Sequence, residues 1–223
     1  MAQSGSKKTQ PQRTKQAAPI AEKRRVPTQD RSRQRVERIL DAAARVFAEH
    51  SYEATTTEAI ATAAGTSIGS LYQFFPNKRA VFDAIARRYL ERSRALFDTL
   101  VTPAVIALPW GEMLDRGIDL FFQLNRHDPD SRAIWSNWHL SGSFLVAGQA
   151  LNEDFVRRIQ GVIALKAKEL SPERQTLVAA IVVEAATAML LYAVRSRVAT
   201  PEALVAETKI LLHRYLEPYA KDS

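Results

Sequence analysis

An all-helical chain is predicted by three features of its 223 residues. Apolar residues recur at a spacing near 3.6 from Arg33 onward, which is the period of a helix with one buried face. No stretch alternates apolar and polar residues as a strand would, and no internal repeat is visible. Eight glycines and ten prolines are modest for this length. With 46% hydrophobic content, the chain can bury a sizeable core, most simply as a small domain followed by a larger one.

Residues 1–30 are rich in Gln, Ser, Thr, Pro and Lys, with too few apolar side chains to anchor them, so a disordered basic tail is expected. Lys23, Arg24 and Arg25 form its basic cluster. It reads either as an arm for DNA phosphates or a minor groove, or as a solvated tail. From Arg31 to His50, Val36, Ile39, Leu40, Ala43 and Phe47 share one helical face and leave Arg33, Arg35 and Arg38 outside. This first helix serves as a brace for the segment after it, and Tyr52 packs in the intervening turn.

Residues Thr55–Lys78 read TTTEAIATAAGTSIGSLYQFFPNK. Thr57 suits an N-cap with Glu58 in the first turn behind it. Gly65 stops that helix because glycine takes a positive φ without a Cβ penalty. Ser67 then caps a second short helix through Ile68, Leu71 and Tyr72, and small Ala61 and Ala64 let the two cross closely. The result is a helix-turn-helix whose outer face carries Ser70, Tyr72 and Gln73. Gln reads an adenine edge, and hydroxyls hold phosphate oxygens. Asn77, Lys78 and Arg79 open the next helix after Pro76, with free N–H groups and two cations facing an anion. A short Ala/Gly hairpin by itself is equally a plain packing unit; the ordered combination is what points to DNA.

Thr56-Thr57, Ile60-Ala61, Ala64-Gly65, Ser67, Gly69-Ser70-Leu71-Tyr72, Phe75 and Lys78 resemble the signature of TetR-family transcriptional regulators, over about Gln34 to Ile85. The resemblance implies an N-terminal three-helix DNA-binding domain, residues 31–78, a connecting helix, 79–100, and a C-terminal ligand-binding and dimerisation bundle, 101–223. It implies phosphate contacts by Thr57, Tyr72 and Lys78, a phosphate or base contact by Ser70, and a groove-facing set of Ile68, Gly69 and Gln73, with Gln73 the main base reader. Glu58 stands where some relatives contact a base, and its charge suits at most a cytosine amino group. Phe74 replaces a Tyr or His common in the family, which removes one phosphate hydrogen bond, and Thr66 replaces a usual Val.

Charge supports the same division. Residues 1–90 hold 16 Lys and Arg against 8 Asp and Glu, net +8, whereas residues 91–223 hold 15 against 16, net −1. The positive end holds the DNA reader, as an electrostatic footprint should, although basic tails also serve solubility.

Val81, Phe82, Ile85 and Tyr89 continue a long helix toward Leu100, studded with Arg87, Arg88, Arg92 and Arg94, which either transmits movement or is a solvated surface helix. Prolines between Thr102 and Pro109 end it. Further helices are expected at Trp110–Asn125, Pro129–Leu140, Phe144–Leu170, Pro172–Arg195 and Pro201–Tyr219, with Gly142, Ser171-Pro172 and Thr200-Pro201 as breaks. Phe121, Trp135, Trp138, Phe144, Phe155, Met189 and Tyr192 are candidates for an apolar effector cavity, although each taken singly is more simply explained as bundle core. Asn137, His139, Asn152 and Arg195 are candidates for its polar groups. Leu177, Ile181, Ala185, Ala188 and Leu191 recur at helical spacing as a candidate dimer surface, or as intramolecular core. Leu177–Val194 is also long enough for a bilayer, but Glu184 near its middle argues for a soluble buried helix.

The absence of cysteine excludes disulfides, thiolate metal sites and cysteine nucleophiles, and a cytoplasmic location with no membrane partner fits. The charged N-terminus lacks the apolar segment of a secretory signal. Four histidines without a His-Glu-x-x-His pair, no Gly-x-Ser-x-Gly elbow and no phosphate-cradling glycine loop argue against catalysis, a bound metal or a cofactor. The reading is therefore a homodimeric regulator of a palindromic double-stranded operator, most simply a repressor released by a small hydrophobic or amphipathic effector. A structural DNA organiser without such an effector is the alternative, and an enzyme on a helical bundle the remote one.

Overall fold

The computed structural model describes Met1 and residues 27–137 and 142–220. Among these residues ten helices follow one another without a strand: α1 (Pro27–Glu49), α2 (Thr57–Ala63), α3 (Ile68–Tyr72), α4 (Lys78–Leu100), α5 (Pro103–Ile106), α6 (Trp110–His127), α7 (Pro129–Ser136), α8 (Gly142–Lys166), α9 (Pro172–Arg195) and α10 (Pro201–Leu216). Helix α1 begins at Pro27, inside the stretch expected to be tail; residues 2–26, including Lys23, Arg24 and Arg25, lie outside the described residues. The one-turn α5 stands where the prolines predicted only a break.

Helix starts are written in one local grammar. Thr102, Asp128, Ser171 and Thr200 each cap a helix through a side-chain oxygen, and each is followed by proline in the first turn. Proline fits there because its missing N–H has no helical partner to lose. Thr56, rather than Thr57, caps α2 by accepting from Ala59 N at 3.1 Å. The capping oxygen must sit three residues before the N–H it serves, and Thr57 is already helical.

The first core joins α1, α2, α3 and α4 through Ile39, Phe47, Ile60, Leu71, Val81, Phe82 and Ile85, all without solvent exposure. Tyr52 stacks on Phe47 with centroids 5.6 Å apart, and Phe82 meets both rings edge-on. Ala133 and Ile134 of α7 belong to this same core. The segment 31–78 therefore does not close its core unaided: α4, which continues directly from it, and α7, from farther along the chain, complete it.

Helices α6, α8, α9 and α10 pack with α4 into the second half of the molecule. Helix α9 has the length and apolarity to span a bilayer, yet Val178, Ala179, Val182, Val183, Leu190 and Ala193 are buried inside the bundle. Its opposite stripe, Leu177, Ile181, Glu184, Ala188 and Tyr192, is exposed.

Candidate nucleic-acid interface and effector cavity

The α2–α3 turn is closed by a Schellman pair: Thr66 N donates to Ala61 O at 3.0 Å and Gly65 N to Thr62 O at 3.1 Å. Gly65 takes φ +62°, where an L side chain would be strained. Ser67 accepts from Ser70 N at 3.2 Å and so starts α3. One buried residue, Leu71, anchors α3 to the first core. The outer face then holds Ile68, Gly69, Tyr72 and Gln73 in solvent, and a Cβ added at Gly69 would meet nothing.

Side chains around this face are tied to one another. The hydroxyls of Thr57 and Tyr72 lie 3.1 Å apart, linking the start of α2 to α3. Arg35 of α1 donates to Ser70 Oγ at 3.4 Å. Glu58 is exposed, and its own backbone N–H, helped by the Thr56 and Thr57 hydroxyls, holds its carboxyl below the usual range. It is therefore anionic and suits a base amino group, not a phosphate. Two sequence-predicted residues sit differently from the rest: Ser67 spends its oxygen on the cap, and Phe74 is half-buried against the first core.

Lys78 has an internal task. Its Nζ donates to Tyr52 O at 2.6 Å and Thr55 O at 2.7 Å, makes a longer contact to Glu53 O at 3.4 Å, and stands 4.4 Å from the Tyr52 ring centroid. It thus latches the α1–α2 loop to the start of α4. Only the long third contact leaves a direction that a phosphate oxygen can take over.

Helix α7 is pinned to the reader at both ends, which the sequence did not disclose. At its start Arg88 of α4 grips Asp130 with two bonds of 2.7 and 2.6 Å and reaches Glu37 and Asp41 of α1 at 2.8 and 2.9 Å. Arg92 adds Asp128 and Asp130. At its end Asn137 accepts from Tyr52 N at 3.1 Å. Burial works against both charges: it opposes the Arg88 guanidinium, whose pKa the Asp130, Glu37 and Asp41 carboxylates nevertheless raise, and it pushes the Asp130 carboxyl up while Arg88 and Arg92 pull it back. In the sequence Arg88 is one of several arginines along a helix, and nothing local marks Asp130 as its partner.

Between α4, α6, α8 and α9 lies a cavity of about 510 Å³. Its walls include Phe97, Trp110, Phe121, Trp135 and Phe155, with Phe97 and Phe155 stacked at 4.1 Å. At the end nearest the reader, Trp135 Nε1 donates to Tyr89 Oη at 3.1 Å, and Tyr89 donates to Asn125 Oδ1 at 2.9 Å. Burial raises the Tyr89 pKa, keeping the phenol neutral.

Of the candidate cavity residues, Phe121, Trp135 and Phe155 line the space, as does Asn152. Met189 and Tyr192 do not: α9 turns Tyr192 outward, 36% exposed. Trp138, His139 and the side chain of Phe144 lie outside the described residues. Asn137 serves the Tyr52 contact, and Arg195 is exposed. Of the candidate dimer residues, Leu177, Ile181 and Ala188 face outward, Ala185 packs inward against α6 and α10, and Leu191 lines the cavity. These residues share one helix but not one face, because an Ala-rich helix is apolar on most sides.

A family model described as bacterial regulatory proteins, tetR family, matches residues 39–85, and one described as tetracyclin repressor-like, C-terminal domain, matches residues 109–216. The HTH-type transcriptional repressor KstR2 of Rhodococcus jostii (strain RHA1) is 38% identical over 95 residues, 36% of this chain and 46% of that protein. The chain spans about half the length of the curated relatives it matches, 40% to 55% for three of them. A solved TetR-family regulator from Streptomyces coelicolor superposes with a TM-score of 0.61 at 29% identity, over 85% of this chain and 99% of its own. AibR, solved in complex with isovaleryl coenzyme A and operator DNA, shares the fold with a TM-score of 0.59 at 20% identity, over 80% of this chain and 97% of its own.

Proposed function

The chain belongs to the TetR family of transcriptional regulators, and from that premise we propose that it is a DNA-binding repressor released from its operator by a small molecule in the α4–α9 cavity. The observation that carries the reading is the outer face of α3. Tyr72 is 48% and Ile68 36% exposed beside Gln73, on a helix whose buried side has a single anchor. A short polar-faced helix held this way suits a major groove.

The active species is a homodimer. Leu177, Ile181 and Tyr192 of α9 and Ile210 and Leu211 of α10 are large apolar residues left in solvent. A twofold pairing of these two helices removes that patch from water and presents two copies of α3 to a palindromic operator. Repression then follows by occlusion of a promoter, in the cytoplasm where the operator is.

Coupling runs through α7. Trp135 of this helix touches the cavity, while Asp130 and Asn137 hold α4 and the α1–α2 loop. A ligand pressed against Trp135 and Tyr89 shifts α7 or α4, and either movement changes the separation of the paired α3 helices. Such a ligand acts only through its preference for the DNA-free arrangement. The AibR complex, in which one protein of this fold was solved with both isovaleryl coenzyme A and operator DNA, supports the two-site arrangement.

Selection of bound duplexes from random DNA, followed by a screen for molecules that release the winning duplex, tests both halves. One palindromic motif and a releasing molecule are expected. Binding without sequence preference would favour an organiser of DNA instead.

A further inference from the structure

We infer that the cavity is built for an uncharged lipophile carrying one hydrogen-bonding oxygen, and that it rejects carboxylates and other anions. This rests on the cavity being the effector site and goes on to name what that site accepts.

Charge selects against anions. Among the described residues the cavity wall contains no lysine, arginine or histidine, and its one charged side chain is Glu184, to which Asn152 Nδ2 donates at 3.2 Å. The nearby cations are committed elsewhere. Arg88 is bound to Glu37, Asp41 and Asp130, Arg158 to Asp98 and Asp154, and Lys166 to Leu108 O behind the Trp110 ring. An anion in this space would lose its hydration with no counter-charge, and Glu184, partly in solvent on the outer stripe of α9, adds repulsion at the rim.

Free hydrogen-bonding capacity selects for an oxygen. Tyr89, Asn125 and Trp135 are polar but bonded to one another, and Asn125 Nδ2 also donates to Phe121 O. Ser93 is different: it is buried at 2% exposure, lines the cavity near the Tyr89 phenol, and its Oγ makes no hydrogen bond of normal geometry. A buried hydroxyl left unmet is costly, so it marks where a ligand oxygen belongs. The remaining wall is mostly aliphatic and aromatic, and at interior packing density the volume suits a molecule on the order of 20 non-hydrogen atoms.

Trp110 and Trp135 line the cavity, so tryptophan fluorescence of the full-length protein reports occupancy. We would titrate it at pH 8 with 1-decanol and with decanoate, measuring operator release alongside. The alcohol is expected to bind at least tenfold more tightly than the carboxylate. Glu184→Gln should narrow that gap by strengthening decanoate. Ser93→Ala should weaken decanol about fivefold and leave 1-chlorodecane unchanged. Decanoate binding as tightly as decanol, with release of the operator, would overturn the inference and leave the effector site standing. Fluorescence that responds to none of the three, with the operator still bound, would overturn both.

Discussion

The two halves of the molecule are both helical and both apolar inside, yet they are filled differently. In the reader, Phe47, Tyr52 and Phe82 interlock and Ile39, Ile60, Leu71 and Ile85 have no exposure. In the sensor, comparable aromatics surround a cavity of about 510 Å³ and leave the Ser93 hydroxyl, near the Tyr89 phenol, without a hydrogen bond of normal geometry. A filled core has one arrangement, which suits a part that must fit a groove. A hollow one is completed by whatever enters it, and the free energy of that completion is available to move α7.

Substitutions can break or sharpen this contrast. Phe47→Ala, in the filled core, is expected to cost about 4 kcal/mol of stability by denaturant unfolding; a loss under about 1 kcal/mol would mean the reader is as loosely packed as the sensor. Asp130→Ala removes the two shortest bonds of Arg88 at the junction of the halves, leaves it the half-exposed Glu37 and Asp41, and should cost about 2 kcal/mol. It should also leave effector binding intact while abolishing release of DNA, so retained release would remove α7 from the coupling path.

Lys78→Ala should lower stability by about 2 kcal/mol, because loop carbonyls lose a charged donor, and should reduce the salt slope of DNA binding by about one. An unchanged melting temperature would refute the latch, and an unchanged slope the phosphate contact. Gln73→Ala is expected to leave stability alone and to cost about 1.5 kcal/mol of discrimination at one base position per half-site, read by competition between single-base operator variants. Ala186→Leu points bulk into the void and should change stability by less than about 1 kcal/mol. Effector affinity should nevertheless drop at least tenfold with operator binding unaltered; a large destabilisation would show that the space is not free.

Legibility followed the range of the interactions. The α2 and α3 helices, the Gly65 turn and the Ser67 cap rest on bonds between residues three to five apart, and they stood in the sequence nearly as they stand in the fold. The cap of α2 was misread by one residue because Thr55, Thr56 and Thr57 offer the same hydroxyl; Thr55 is in fact buried and donates to Ser51 O. Apolar spacing identified α9 but not which residue faced which neighbour. Tyr192 and Leu191 are adjacent and nearly equal in hydrophobicity, and one lies outside while the other lines the cavity.

Residue order by itself determined the helical class, the division of charge and the polar outer face of α3, since period, capping and surface polarity are properties of short stretches. Only the tertiary structure decided that α7 closes the reader's core, that Arg88 meets Asp130 across 42 residues, and that a hollow remains between α4, α6, α8 and α9. Those outcomes depend on which faces meet once ten rods are packed together, and a short window of sequence does not carry that distance.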